Sequence, residues 1–154
     1  MLAGCALPGG PVPKGVGYNE GMESKELTID TSRRRIVDLT DAVAAFCARL
    51  GDGLVNVFAP HATVGLALIE VGAGSEPDLE AALERLLPRD ERYVHRHGSP
   101  GHGADHLLPA LLCPSVTIPV LGGRPAPGIW QHVVLVDLNR DNPTRQVRLS
   151  FLAG

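Results

Sequence analysis

Six histidines are the residues of this chain best suited to chemistry: His61, His95, His97, His102, His106 and His132. Four of them fall within the twelve residues from His95 to His106. A neutral imidazole is a common metal ligand, and its unperturbed pKa lies near neutrality. His102 and His106 stand four apart, so a helix would place them on one face, although Gly103 between them weakens a helix. Spacing alone leaves two readings open: a metal or acid–base site, or a solvated polar loop. No HExxH helix, paired-cysteine zinc motif, acidic DDxxD run or GxSxG elbow occurs. Cys5, Cys47 and Cys113 are odd in number and far apart, which speaks against a disulfide framework and suits a reducing, cytoplasmic compartment.

Weaker candidates lie elsewhere. Gly122-Gly123 reads as a hairpin turn, since no lysine or helix follows as in a phosphate loop. Gly72-Ala-Gly-Ser75 opens a helix that could hold an anion, but Glu76 favours ordinary capping. Trp130, the only tryptophan, is equally readable as a core indole or as a ring platform. Arg140, Arg145 and Arg148 could bind phosphate or could be solvated edge charges.

The elements that must position these residues are read from periodicity. Residues 1–21 hold many glycines and prolines and no hydrophobic period, and are expected to be a flexible tail before a domain at 22–154. Strands are expected at 25–29, 36–39, 53–59, 64–70, 115–120, 129–138 and 145–151. Helices are expected from Thr40, which can cap, to Gly51, and over Glu76–Leu87, where Leu79, Ala82, Leu83 and Leu86 form one apolar stripe. A shorter helix is expected at 107–112, and the histidine- and glycine-rich stretch before it should be irregular. Helices lie between the early strands and a run of strands ends the chain, which indicates an α+β domain.

Composition excludes other classes. A net charge of −3 without a basic stripe, and 4% aromatic residues, argue against nucleic-acid binding. No stretch approaches the roughly 20 apolar residues of a membrane span. Leu2-Ala-Gly-Cys5 looks like a lipoprotein box but lacks the charged and apolar region expected before one.

Several segments, in order, resemble the YjbQ-type family, also described as secondary thiamine-phosphate synthases. His61-Ala-Thr-Val-Gly-Leu-Ala-Leu-Ile-Glu70 resembles its H-T-T-x-x-L-x-I-x-E segment. His95, then Asp105-His-Leu-Leu-Pro-Ala-Leu-Leu112, resembles a histidine followed by a second histidine and L-L-G. Ser115-Val-Thr-Ile-Pro-Val120 with Gly123, Gly128-Ile-Trp-Gln131, and Pro143-Thr-Arg145 resemble S-x-T-I-P-V-x-x-G, G-T-W-Q and the closing P-R-x-R-like turn. The chain departs at Ala62, Ile69, Cys113 and Ile129, losing two hydroxyls and an amide from a polar pocket.

The resemblance implies an α+β fold, a mixed or antiparallel β-sandwich with helices packed on it, assembled as a homotrimer. It implies a divalent metal, zinc or magnesium, held near subunit boundaries by His61, His95 and His106. It implies transfer chemistry on a phosphorylated small molecule, joining a thiazole phosphate to an aminopyrimidine diphosphate. Glu70, Gln131 and Arg145 would be catalytic; Trp130, Thr63 and Arg145 would contact substrate. His97 and His102 match no family position and are expected to be loop residues. The rival readings are a non-catalytic metal- or phosphate-ligand-binding protein and a different metal-dependent hydrolase.

Overall fold

The computed structural model describes residues 22–154, so the expected tail at 1–21 lies outside the described residues. Eight strands and four helices follow in the order β1 (Met22–Asp30), β2 (Ile36–Asp38), α1 (Thr40–Cys47), β3 (Gly53–Phe58), β4 (Val64–Ile69), α2 (Ser75–Leu86), α3 (His102–Asp105), α4 (Leu108–Leu111), β5 (Ser115–Leu121), β6 (Arg124–Pro125), β7 (His132–Asp137) and β8 (Thr144–Ala153). They form a five-stranded sheet, β1-β8-β3-β5-β6, and a three-stranded sheet, β2-β7-β4. Every pairing is antiparallel. The α+β class and the sandwich are as expected.

Period two explains the five-stranded sheet. β8 alternates buried and open positions, and Val147, Leu149 and Phe151 point inward with Val55 and Val57 of β3 and Ile118 and Val120 of β5. Opposite them stand Val64 and Leu66 of β4 and Val133 and Leu135 of β7, with Leu39, Val43 and Cys47 from the α1 region. Each such side chain contributes about 1.5–3 kcal/mol on full burial. β7 is different: it is apolar at successive positions because both its faces are covered. Its second face carries Val134 and Val136, which pack with Ile36, Leu83, Leu87, Ala104 and Leu108. The helices α2 to α4 thus form a third layer, and this second core is the floor beneath the histidine loop.

Three local expectations are corrected. The strand expected from Ile129 begins only at His132. Gln131 N–H donates to the Gly128 carbonyl at 2.8 Å, and Gln131 Oε1 accepts the Gly128 N–H at 2.7 Å. Those backbone groups close a turn and cannot join the ladder, which leaves Ile129 and Trp130 exposed. Thr40 does not cap α1. Its N–H is accepted by Asp38 Oδ1 at 2.9 Å, and its own Oγ1 accepts the Val133 N–H at 3.0 Å, tying the helix start to β7. The stretch expected to be irregular contains the short helix α3, because Ala104 is buried in the second core. The Gly122–Gly123 turn is as read: φ is +56° and +75°, and Leu121 pairs with Arg124 across it.

Candidate functional site

His95, His97, His102 and His106 gather into one cluster. One ring nitrogen from each lies within 4.8 Å of the other three. His102 is buried, His106 half-buried, and His95 and His97 exposed, so the cluster is open to solvent. His102 Nε2 and His106 Nε2 are 2.9 Å apart. The His95 and His106 ring centroids are 4.2 Å apart, and those of His95 and His97 4.0 Å.

Two chain segments hold this arrangement. After α2 the chain turns at Pro88, and Arg89 reaches Asp105 in a tight ion pair while donating to the Leu138 carbonyl at 3.2 Å. The turn between β7 and β8 supplies the second anchor. Asn139 Oδ1 accepts the N–H groups of Asp141 and Asn142 at 2.7 and 3.1 Å, which directs its amide nitrogen inward. That nitrogen donates to Asp105 Oδ2 at 3.0 Å and lies 2.9 Å from His102 Nδ1. Asp141 Oδ2 sits 3.0 Å from the same Nδ1 and accepts the Ser99 N–H at 3.1 Å. Gly98, at φ +79°, makes the close approach possible: a Cβ there would stand 2.6 Å from the His102 ring and 2.8 Å from Asp141 Oδ2.

Crowding and partial burial disfavour the protonated form of two of the rings, His95 and His106. Desolvation, then repulsion between neighbouring imidazoles, pushes His95 and His106 below the ordinary histidine value. The hydrogen bond from the Ser99 N–H holds Asp141 below the usual carboxylate range. Burial raises Asp105 despite the Arg89 guanidinium. Clustered imidazoles with a carboxylate behind one of them are chemically equipped to take a metal or to move a proton.

The other expected site residues separate into two places. His61 is not in the cluster; its Nε2 accepts the Gln146 N–H at 2.8 Å. Burial, then the nearby Arg145 charge, pushes its pKa down. Arg145 is itself buried. Its Nε and Nη2 donate to Asp137 at 2.6 and 3.0 Å, and Thr31 Oγ1 donates to the same carboxylate at 2.8 Å. Thr63 is buried just before β4.

Glu70, Trp130 and Gln131 are exposed at the opposite end of the three-stranded sheet. The register sets this: Val64 pairs with Asp137 at one end, and Ile69 with His132 at the other. At 3.4 Å per residue the two ends of β4 are about 17 Å apart. The histidine cluster joins the Asp137 end, through Leu138, Asn139 and Asp141.

Sequence reasoning missed the parts played by His97, His102, Asn139, Asp141, Arg89 and Asp105. His97 and His102 were visible in the histidine run. The Asn139–Asp141 segment read only as a turn, and nothing local linked it to a loop some forty residues earlier.

Among the described residues, no helix is long and apolar enough to cross a membrane. The family model for UPF0047 protein YjbQ-like matches residues 25–154. The UPF0047 protein Rv2556c of Mycobacterium tuberculosis is 67% identical over 133 residues, 86% of this chain and 100% of that protein. A UPF0047 protein of Archaeoglobus fulgidus is 38% identical over 129 residues, 82% of this chain and 99% of that protein. Among solved structures, a YbjQ-like protein of unknown function from Sulfolobus solfataricus superposes with a TM-score of 0.79 at 21% identity, over 86% of this chain and 98% of that one. A conserved hypothetical protein from Thermus thermophilus gives a TM-score of 0.72 at 29% identity, over 83% of this chain and 99% of that one. The chain therefore belongs to the UPF0047 YjbQ-like family.

Proposed function

We propose that this chain binds a divalent transition metal at the histidine loop, through His95 and His106, and uses it in group transfer to a phosphorylated small molecule. The observation that carries this reading is the convergence of the ring nitrogens within 4.8 Å on a solvent-accessible face. Four imidazoles with no carboxylate among them fit zinc, whereas magnesium takes oxygen ligands. Metal analysis after loading, with His106→Ala as control, tests the binding step.

The transfer itself follows the resemblance to the secondary thiamine-phosphate synthases. The thiazole nitrogen would attack the aminopyrimidine methylene, the methylene C–O bond would break, and diphosphate would leave with the electron pair. A bound divalent ion would offset charge developing on the departing diphosphate. The chain's own task is to bring the two partners together in line. Glu70, Gln131 and Trp130 stand about 17 Å from the cluster end of the sheet, so a site containing both sets draws them from different protomers. The implied homotrimer would supply that, with His61 near the subunit boundary; light scattering showing a stable monomer would remove this route. Loaded protein given both precursors should form thiamine phosphate. Absence of product with metal bound and the fold intact refutes the transferase and leaves metal binding.

One observation favours the second reading, metal binding without transfer. Arg145, the expected phosphate contact, is buried and donates Nε and Nη2 to Asp137.

A further inference from the structure

We propose that His97 and His102 join His95 and His106 in a single four-imidazole site, with Asp141 as the positioning residue for His102, and that this site selects zinc-class ions over magnesium or calcium. This rests on the metal-binding reading above and extends it to two residues outside the family's matched histidines and to a residue from another loop.

Zinc with bonds of about 2.0–2.1 Å holds neighbouring tetrahedral ligands about 3.3 Å apart. His102 and His106 present their Nε2 atoms at 2.9 Å, close to that spacing. His95 and His97 each add one ring nitrogen, and the four lie within 4.8 Å of one another. Those two rings are exposed and free to rotate inward, whereas His102 is buried and set.

The setting of His102 is specific. Its Nδ1 faces the Asp141 carboxylate at 3.0 Å and the Asp105 carboxylate at 3.5 Å. Metal coordination through Nε2 requires the tautomer with the proton on Nδ1, where the ring N–H faces the Asp141 carboxylate. The Asn139 amide nitrogen donates to Asp105 and also lies 2.9 Å from Nδ1. Nε2 then carries a bare lone pair toward His106 and the cluster centre. A carboxylate behind a ligand imidazole fixes the tautomer and raises the basicity of the coordinating nitrogen. The donor set is four nitrogens and no oxygen, which disfavours magnesium and calcium.

The test titrates the full chain, stripped with a chelator, with Zn²⁺ and separately with Co²⁺, and follows Kd by chelator competition and the Co²⁺ visible spectrum. One equivalent should bind, with the intense absorption of tetrahedral Co²⁺, and excess Mg²⁺ should not displace it. His97→Ala and His102→Ala should each weaken binding on the order of 100-fold or more. Asp141→Asn should weaken it about 10–100-fold at unchanged stoichiometry. Because His97 is exposed, its variant keeps the metal-free fold and decides the matter even if His102→Ala unfolds. Wild-type affinity in His97→Ala, with binding lost in His106→Ala, overturns the four-ligand site and leaves the proposed function standing. Unchanged affinity in Asp141→Asn overturns the positioning role. Displacement by Mg²⁺ overturns the selectivity, and no binding by the wild type overturns both readings.

Discussion

Replacing Arg145 with alanine should destabilise the domain by about 3–5 kcal/mol, because it leaves the Asp137 carboxylate buried and uncompensated. Asp137 and Arg145 are 2% and 3% exposed, so solvent cannot replace the lost partner. Two donors remain to the carboxylate: Thr31 Oγ1 at 2.8 Å and the Asn139 N–H at 3.0 Å. Hydrogen bonds to a charged group are worth about 1.5–3 kcal/mol each, so their survival places the loss toward the lower end of the range. Urea denaturation at neutral pH, read as a change in midpoint at constant slope, measures it. Asp137→Asn and the double variant complete a cycle. The double variant should be less destabilised than the sum of the singles, because no lone charge is left behind. A loss below about 1 kcal/mol for Arg145→Ala would refute the argument, since that is the range of an exposed ion pair. Unchanged stability with lost binding of a phosphorylated ligand would restore Arg145 to the substrate.

Metal-free protein should lose stability as pH falls below the unfolded histidine value of 6.5, because His61 has a lowered folded pKa and the unfolded chain takes up the proton first. His61→Gln should flatten that part of the pH–stability curve, down to the folded pKa; an unaltered slope would show that His61 is not responsible. Leu108→Ala should cost about 2–5 kcal/mol, since Leu108 is fully buried in the second core. It should also raise hydrogen exchange at 102–106, and protection of α3 unchanged from wild type would show that the core does not support the histidine loop.

Much of the fold was legible locally. The alternation in β8, the stripe on α2 and the glycine pair at 122–123 each state their own structure, because backbone periodicity and left-handed φ are properties of a few consecutive residues. The histidine run was equally plain, and two of its members, His95 and His106, do meet. What local pattern cannot hold is which distant segments share a neighbourhood. β1 pairs with β8 across the whole chain, and β7 is covered on both faces only once α2 to α4 fold back on it. Asp137 and Arg145 read as a strand end and an edge charge until the β7–β8 turn buries them against each other. Trp130 reads as a strand residue until the Gly128–Gln131 bonds take its backbone out of the ladder. The sequence alone therefore determined the fold class, most elements and the presence of a histidine-rich loop. Tertiary structure decided that His97 and His102 belong with His95 and His106, that Asp141 stands behind His102, and that His61 and Arg145 lie outside the cluster. The reason is physical: a side chain's partners are set by the packing of layers, and that packing depends on the apolar faces of all the elements together.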